Sequence, residues 1–443
     1  MRMSAREVAV NVVGLVRSDD AYSNLILPDA IHRAALSSRD SGHATDLTYG
    51  ALRWRGYVDA VLGFCVTGSF ARVDDDVLDL LRVAGYELLV RQEPPHIINE
   101  WVSLATRRFP RASGFVNGTL RTLARTSPDE WRATTVEGLA HDDALSVLTS
   151  HPRWIVDVFT DLVGTSEVES LLAADNAAPT PTLIALPGLA EIPGGSSRTP
   201  FSPFGFRSSG GALGSIAGMA AGTVRVQDEG SQLAALVLAE CSPIVAGERW
   251  LDLCAGPGGK TALLAAIGIP RGVSLTANER QPHRAELVRH SVKPFTGQVE
   301  VTVNDGRVLC GENPAHFDRI LVDAPCTGLG ALRRRPESRW RKSLDDLVEL
   351  VPLQRSLLSA ALTAVRVGGH VAYVTCSPHP AETTEVIDAV LAEHPEVERV
   401  DTASILEDLA PTITEVTRGT AAQLYPHRHD TDAMFIQLIR RTR

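Results

Sequence analysis

From about Val224 to the C-terminus, short apolar runs alternate with helical stretches, and this alternation constrains the fold more than any other feature. The segments 249–254, 273–279, 299–305, 318–324 and 370–375 are brief, apolar and bounded by glycine, proline or polar residues. That pattern predicts strands buried on both faces. Between them, helical spacing is read over 260–267, near 284–290 and over roughly 344–365, with Pro352 placed to kink the last. A final strand is expected at 433–439. Such an order predicts a parallel sheet wrapped by helices, with ligands held at the carboxyl ends of the strands. Asp252, Glu279, Asp305, Asp323 and Cys376 all fall at or near those ends, which points to one shared site.

The rest of the chain reads differently. Residues 4–125 carry apolar positions at helical spacing, broken by Pro28, Pro94, Pro95 and Pro110, and predict a helical bundle. A proline- and glycine-rich stretch from Pro179 to Gly222 predicts a loop-rich or small α/β connector. At 443 residues the chain is too long for one core. The expected division is an all-α domain over 1–140, a connector over 141–225 and an α/β domain over 226–443.

Composition narrows the function classes. The apolar stretch Val8–Val16 is interrupted by Asn11 and reads as an amphipathic helix, not a signal peptide. No run approaches the roughly 18 apolar residues that span a bilayer. Six scattered cysteines with no CxxC pair point to a reducing cytoplasm and to neither a disulfide framework nor a zinc site. His427, His429, Asp430 and Asp432 match no zinc spacing, so no metal is expected. The net charge of −10 suits a nucleic-acid binder only if cations cluster, and they do. Arg107, Arg108, Arg111, Arg121 and Arg125 lie in a stretch with no acid. The stretch 333–342, with Arg333, Arg334 and Arg335, sets six basic residues against Glu337 alone. Only three of the 43 basic residues are lysines, which makes Lys260, inside a glycine-rich turn, conspicuous.

The turn itself, AspLeuCysAlaGlyProGlyGlyLys over 252–260, is neither a phosphate loop nor a dinucleotide fingerprint. A phosphate loop needs glycine at position 254, where Cys254 stands. A strand ending in Asp and a tight glycine turn into a helix suit a cofactor approached closely by backbone. Glu279, ending the next strand, can accept both hydroxyls of a ribose. Without a pyrophosphate fingerprint, S-adenosylmethionine is favoured over NAD. Cys326 and Cys376 each follow an apolar run and sit beside proline, in polar strand-end turns that suit a reactive thiol.

Residues 224–443 resemble the RsmB/NSUN family of RNA 5-methylcytosine methyltransferases. The resemblance rests on ValGlnAspGluGlySerGln (226–232), the glycine turn, AspAlaProCysThrGlyLeuGly (323–330), ArgArgArgProGluSerArgTrp (333–340) and ThrCysSerPro (375–378). Residues 4–125 resemble the NusB-like RNA-binding domain that precedes this module in bacterial members. The matching pieces are AspLeuThrTyrGlyAlaLeuArgTrp (46–54), LeuArgValAlaGlyTyrGluLeuLeu (81–89) and GlyPheValAsnGlyThrLeuArg (114–121). The fold so implied is a Rossmann-like methyltransferase domain with an all-α NusB-like domain and a small connector. Asp430 departs from the family pattern, standing where members often carry glycine.

The resemblance implies roles. Cys376 would add to C6 of cytosine, making C5 nucleophilic toward a sulfonium methyl. Cys326 would assist removal of the C5 proton or release of the product, and Asp323 would bond the cytosine edge near the methyl. Cys254, Ala255, Gly256, Pro257, Gly258, Gly259 and Lys260 would line the cofactor, with Glu279 on the ribose, Asp305 on the adenine amine and Asp323 at the methyl end. The arginines of both basic stretches would hold RNA. The expectation is a cytoplasmic, S-adenosylmethionine-dependent cytosine-C5 methyltransferase acting on 16S rRNA. Its rivals are a tRNA methyltransferase and a non-catalytic RNA-binding or antitermination factor. Oligomeric state is not legible.

Overall fold

The computed structural model of the protein describes residues 3–19, 21–208 and 213–443; part of the glycine-rich connector, 209–212, lies outside the described residues. The chain divides into two compact units, 1–178 with 332–342, and 179–331 with 343–443.

The first unit is helical. Its opening helix, Ala5–Ser18, starts at Ser4, whose hydroxyl accepts from the Glu7 amide while the Glu7 carboxylate accepts from the Ser4 amide. This reciprocal cap satisfies two amides that the helix leaves without partners. Val8, Ala9, Val12, Val13 and Val16 then bury one face. The helix Asp75–Leu89 is buried almost all round, so its charges need internal partners. Burial opposes ionisation of Glu87, but bonds from His43, Arg6 and Trp101 outweigh it and bring its pKa down to about 2.

The expected boundary at 140 does not separate compact units. Helices His141–Thr149, Arg153–Val163 and Val168–Asn176 stay with the helical unit, burying Leu145, Ile155, Val156, Phe159, Leu171 and Leu172. The segment Leu332–Lys342 also belongs there, although it lies deep inside the α/β portion of the sequence. Glu337 accepts from both the amide and the hydroxyl of Ser23, and Trp340 donates to the Leu52 carbonyl.

The second unit carries two sheets. Connector strands β1 (Thr182–Ala185), β2 (Ser197–Arg198), β3 (Gly205–Arg207) and β4 (Val224–Val226) form a small antiparallel sheet. The large sheet holds β5 (Arg249–Asp252), β6 (Ser274–Asn278), β7 (Val299–Thr302), β8 (Phe317–Asp323) and β9 (Val365–Thr375), then β10 (Val397–Arg399), β11 (Thr417–Arg418), β12 (Ala421–Gln423) and β13 (Phe435–Arg441). Its order is 11-12-13-9-8-5-6-7, with β10 beside β13. Strands 7-6-5-8-9 are parallel, and β13 joins β9 antiparallel. The chain winds outward from β5 to β7 and then restarts at β8 on the other side, so the carboxyl ends of β5 and β8 flank the switch point where such sheets bind ligands.

Candidate functional site

The glycine turn leaves the end of β5 and enters helix Gly259–Gly268. Two of its glycines are required by contact. Gly258 adopts φ +100°, and a Cβ there would lie 2.5 Å from Ser291. A Cβ at Gly256 would lie 2.3 Å from the Glu279 carboxylate, which accepts the Gly256 amide at 3.1 Å. Any side chain at either position would push the turn off helix Pro282–Ser291 or off Glu279.

Asp252 lies beneath the turn, 1% exposed, accepting the Thr261 hydroxyl at 2.6 Å on one oxygen while the other has no partner. Burial pushes its pKa up to about 7; Thr261 opposes the rise and Asp323 adds to it. Lys260, from the first turn of the helix, reaches Asp323 at the end of β8, with Nζ to Oδ2 at 2.6 Å. Burial works against the Lys260 charge, but Asp323, Cys376 and Asp252 outweigh it and raise its pKa. The ammonium is thus held charged between a carboxylate and a cysteine.

The two cysteine turns follow β8 and β9. The amide of Ala324 donates to the Val374 carbonyl at 2.9 Å, so the parallel ladder carries both chains to the same level before they diverge. Beyond it, Cys326 Sγ stands 3.5 Å from Cys376 Sγ, both half-buried. The contact with Cys376, burial, and the carboxylates of Glu382 and Asp323 all hold the Cys326 thiol well above its ordinary pKa. Burial does the same to Cys254, with Asp252, Asp323 and Glu279 adding to it. Neither is poised as a thiolate. The Gly330 amide donates to the Cys376 carbonyl, and the Ala433 amide to the Gly330 carbonyl, each at 2.8 Å, which ties the turn before β13 to the same place.

Other expected residues are placed less simply. Glu279 is buried and also accepts the Gln281 amide at 2.9 Å, so three of its neighbours are fixed before any ligand enters. Asp305 caps helix Gly306–Glu312 and bonds the Arg307 guanidinium, which takes its pKa down to about 2. It is committed to an arginine beside it. His429 is bonded to the backbone of Tyr425 and Thr414, and Asp430 pairs with Arg207 in a left-handed turn. Among the described residues no group of three or more His, Cys, Asp or Glu could hold a metal ion, and no helix is long and apolar enough to cross a membrane.

In the helical unit, Arg107, Arg108, Arg111, Arg121 and Arg125 are all exposed. Arg121 and Arg125 line a groove of about 400 Å³ with His96 and Asn99. Arg107 pairs with Glu7 at 3.1 Å. The second basic stretch is a correction. Arg333 is 5% exposed and its carbonyl accepts from Arg53, while Arg334 and Arg335 are half-buried, with Arg335 stacked over Tyr22 at 5.5 Å. Packing surrounds Arg333, and solvent reaches Arg334 and Arg335 only in part.

Sequence reading missed three groups here. Gln227, 6% exposed, has neither amide atom bonded and faces Gly259; Glu382 and Gln354 are buried against the cysteine turns. Gln227 stood inside a motif already noted, without a role. Glu382 gave only a weak signal, an acid in the proline-bracketed run after Cys376.

Comparison with known proteins agrees with this geometry. Residues 242–440 match the family described as 16S rRNA methyltransferase RsmB/F, and residues 3–125 match the NusB family. A Mycobacterium tuberculosis protein named as a methyltransferase is 42% identical over 99% of this chain and 96% of its own length. The ribosomal RNA small subunit methyltransferase B of Pseudomonas putida is 33% identical over 91% of this chain and 92% of its own. The crystal structure of PH0851 superposes over 100% of both chains with a TM-score of 0.82 at 22% identity. NSun6 from Pyrococcus horikoshii, solved with SFG, covers 67% of this chain and 100% of its own, with a TM-score of 0.56 at 17% identity. These two share the fold.

Proposed function

The chain belongs to the 16S rRNA methyltransferase RsmB/F family and is an RNA methyltransferase, and on that premise we propose that it methylates C5 of a cytosine in 16S rRNA using S-adenosylmethionine. The observation that carries the reading is the pair of thiols 3.5 Å apart beside the Lys260–Asp323 ion pair, at the switch point of the sheet.

The turn fits the cofactor. Gly256 and Gly258 let the turn pack tightly on Glu279 and Ser291 without side chains of its own, and the Gln227 amide beside Gly259 and one Asp252 oxygen are buried polar groups left unbonded. Residues 254–260, Glu279 and Asp305 would hold the nucleoside and amino-acid ends; Asp305 reaches the adenine only by sharing its carboxylate with Arg307. When bound, S-adenosylmethionine supplies an electrophilic methyl group. NSun6 with SFG, which shares the fold, supports that assignment.

Cytosine C5 is a poor nucleophile until a thiolate adds at C6. Cys376 makes that bond. The Lys260 ammonium, charged through its contact with Asp323, stabilises the Cys376 thiolate. Asp323 would also bond the cytosine edge, favouring charge on N3 as the ring becomes an enamine. Cys326 remains a neutral thiol, able to protonate a departing sulfur or relay the C5 proton to a base as the adduct collapses. The target base must leave its stack to reach these groups. Arg107, Arg108, Arg111, Arg121 and Arg125 would bind RNA phosphates. Arg334 and Arg335, half-buried, would add to that contact, whereas burial takes Arg333 out of it.

Incubating the protein with labelled S-adenosylmethionine and RNA tests the reading. Cys376→Ala abolishes turnover while cofactor binding, measured by calorimetry, survives. Cys326→Ala accumulates a denaturant-resistant protein–RNA adduct. The opposite pattern reverses the two roles. Mapping 5-methylcytosine in a deletion strain separates 16S rRNA from tRNA, and absence of methyl incorporation into any RNA favours a binding factor.

A further inference from the structure

We infer that Glu382 is a positioning residue that locks the two cysteine turns in register so that both thiols address one base. Glu382 is 0% exposed and forms no ion pair with an arginine or lysine among the described residues. A buried carboxylate without a cation survives only when its oxygens are fully bonded. Here Oε1 accepts the Thr327 amide at 2.8 Å and Gln354 Nε2 at 3.0 Å, and Oε2 accepts the Thr327 hydroxyl.

The donors are what make the contact informative. Thr327 follows Cys326 directly, and its hydroxyl also bonds the Ser377 hydroxyl at 3.1 Å, the residue after Cys376. Gln354 Nε2 reaches the Pro325 carbonyl at 2.9 Å, on the other side of Cys326. The Glu382 carbonyl in turn accepts the hydroxyl of Tyr373, on β9 just before Cys376, at 2.8 Å. The carboxylate thus braces Cys326 from both flanks, directly at Thr327 and through Gln354 at Pro325, and reaches the exit of the Cys376 turn through the Thr327–Ser377 bond. The Cys376 turn follows directly on the β9–β13 ladder at Thr375 and is tied by the Gly330 amide, whereas the Cys326 turn lies past its last ladder contact at Ala324 and depends on these side-chain bonds. Without the carboxylate, the Cys326 side of the 3.5 Å approach loses its side-chain anchor.

The contact with Cys376 and burial hold the Cys326 thiol up, and the nearby Glu382 carboxylate adds to them in the same direction. The same residue therefore anchors the Cys326 turn and adds to the charge that keeps its thiol protonated.

This inference rests on the reading of Cys376 as nucleophile and Cys326 as release partner. The test uses the full-length protein with S-adenosylmethionine and its RNA. Glu382→Ala is expected to lower kcat about 100-fold, the scale set by ångström misplacement of reacting groups, with KM for the cofactor unchanged. Glu382→Gln restores kcat to within about tenfold of wild type, because Oε1 still accepts and the Thr327 hydroxyl can turn to accept from the new amide. In both variants, iodoacetamide labelling of Cys326, followed by mass spectrometry, moves to lower pH. A purely structural role would leave that labelling profile unmoved. Wild-type kcat with an unshifted profile in Glu382→Ala overturns the inference, as does a defect confined to KM. If Glu382→Ala does not fold, the double variant Thr327→Val, Gln354→Met strips donors from both sides and is read against the same kcat prediction. A Cys376→Ala protein that still methylates RNA sinks the underlying reading instead, whatever Glu382 does.

Discussion

Two arginine-rich stretches of the helical unit look alike in sequence and end in opposite environments. Those from Arg107 to Arg125 sit on helices Ile98–Arg108 and Ser113–Arg125, with Arg111 in the turn Pro110–Ala112 between them; the apolar faces bury Trp101, Leu104, Val116, Leu120 and Leu123 and turn the guanidinium groups outward. Those from Arg333 to Arg341 lie on a strap with little regular structure and are drawn inward. Arg339 is 0% exposed and spends its donors on the carbonyls of Arg53, Ser150 and Asp175 and on the Asn176 side chain. The lesson is that local charge density does not determine exposure. A long amphipathic helix has an outside, whereas an irregular strap offers its donors wherever bare carbonyls wait.

The hardest way to break this contrast is Arg339→Ala. It leaves four acceptors without a donor and is expected to cost about 3 kcal/mol in denaturant unfolding, with the salt dependence of RNA binding unchanged. A near-neutral result would mean that the strap is held by its other contacts, those of Arg333, Glu337, Trp340 and Arg341.

Asp252 sharpens the contrast from the other unit, as a buried charge left partly unbonded. Its folded pKa of about 7 lies above the ordinary value of 3.8, so the folded state binds the extra proton between those values. Stability then falls as pH rises from about 4 to about 7, by on the order of 1 kcal/mol per pH unit at the steepest point. Asp252→Asn removes that slope in melts run across the range. If the slope persists in the variant, another group sets it.

Arg121→Ala with Arg125→Ala touches no core. RNA affinity should weaken about tenfold, the salt slope should fall by roughly two, and stability should stay within about 0.5 kcal/mol. Arg335→Ala is expected to be smallest, losing a half-exposed stacking contact on Tyr22 worth about 0.5 kcal/mol and weakening RNA binding less than the Arg121 and Arg125 pair. A larger loss of RNA affinity from Arg335 than from Arg121 and Arg125 would invert the comparison.

Much of the α/β unit was legible because its signals are local. The strands at 249–252, 274–278, 299–302 and 317–323 form where apolar runs meet glycine or polar turns, and the glycine turn announces its own close contacts. The long helix was read over nearly its true span, Asp346–Ala364, with Pro352 accommodated inside it. What escaped were groups whose meaning depends on a partner far along the chain. Glu382 looks like any acid until Thr327 and Gln354 are brought to it, and Asp305 looks like a free strand-end carboxylate until Arg307 folds back. The boundary at 140 failed for the same reason, since helices 141–176 contain no signal of which core they join.

By itself, the order of residues determined that a parallel sheet would form and that Asp252, Asp323 and Cys376 would cluster at its carboxyl edge, because period and turn chemistry act between near neighbours. Only tertiary structure decided that two sulfurs meet at 3.5 Å, that a cationless carboxylate braces them, and that one arginine stripe faces water while the other is packed away. Those outcomes depend on which distant donors and acceptors find each other once water is excluded, and an unpaired polar group inside a core is too costly for the chain to leave the choice open.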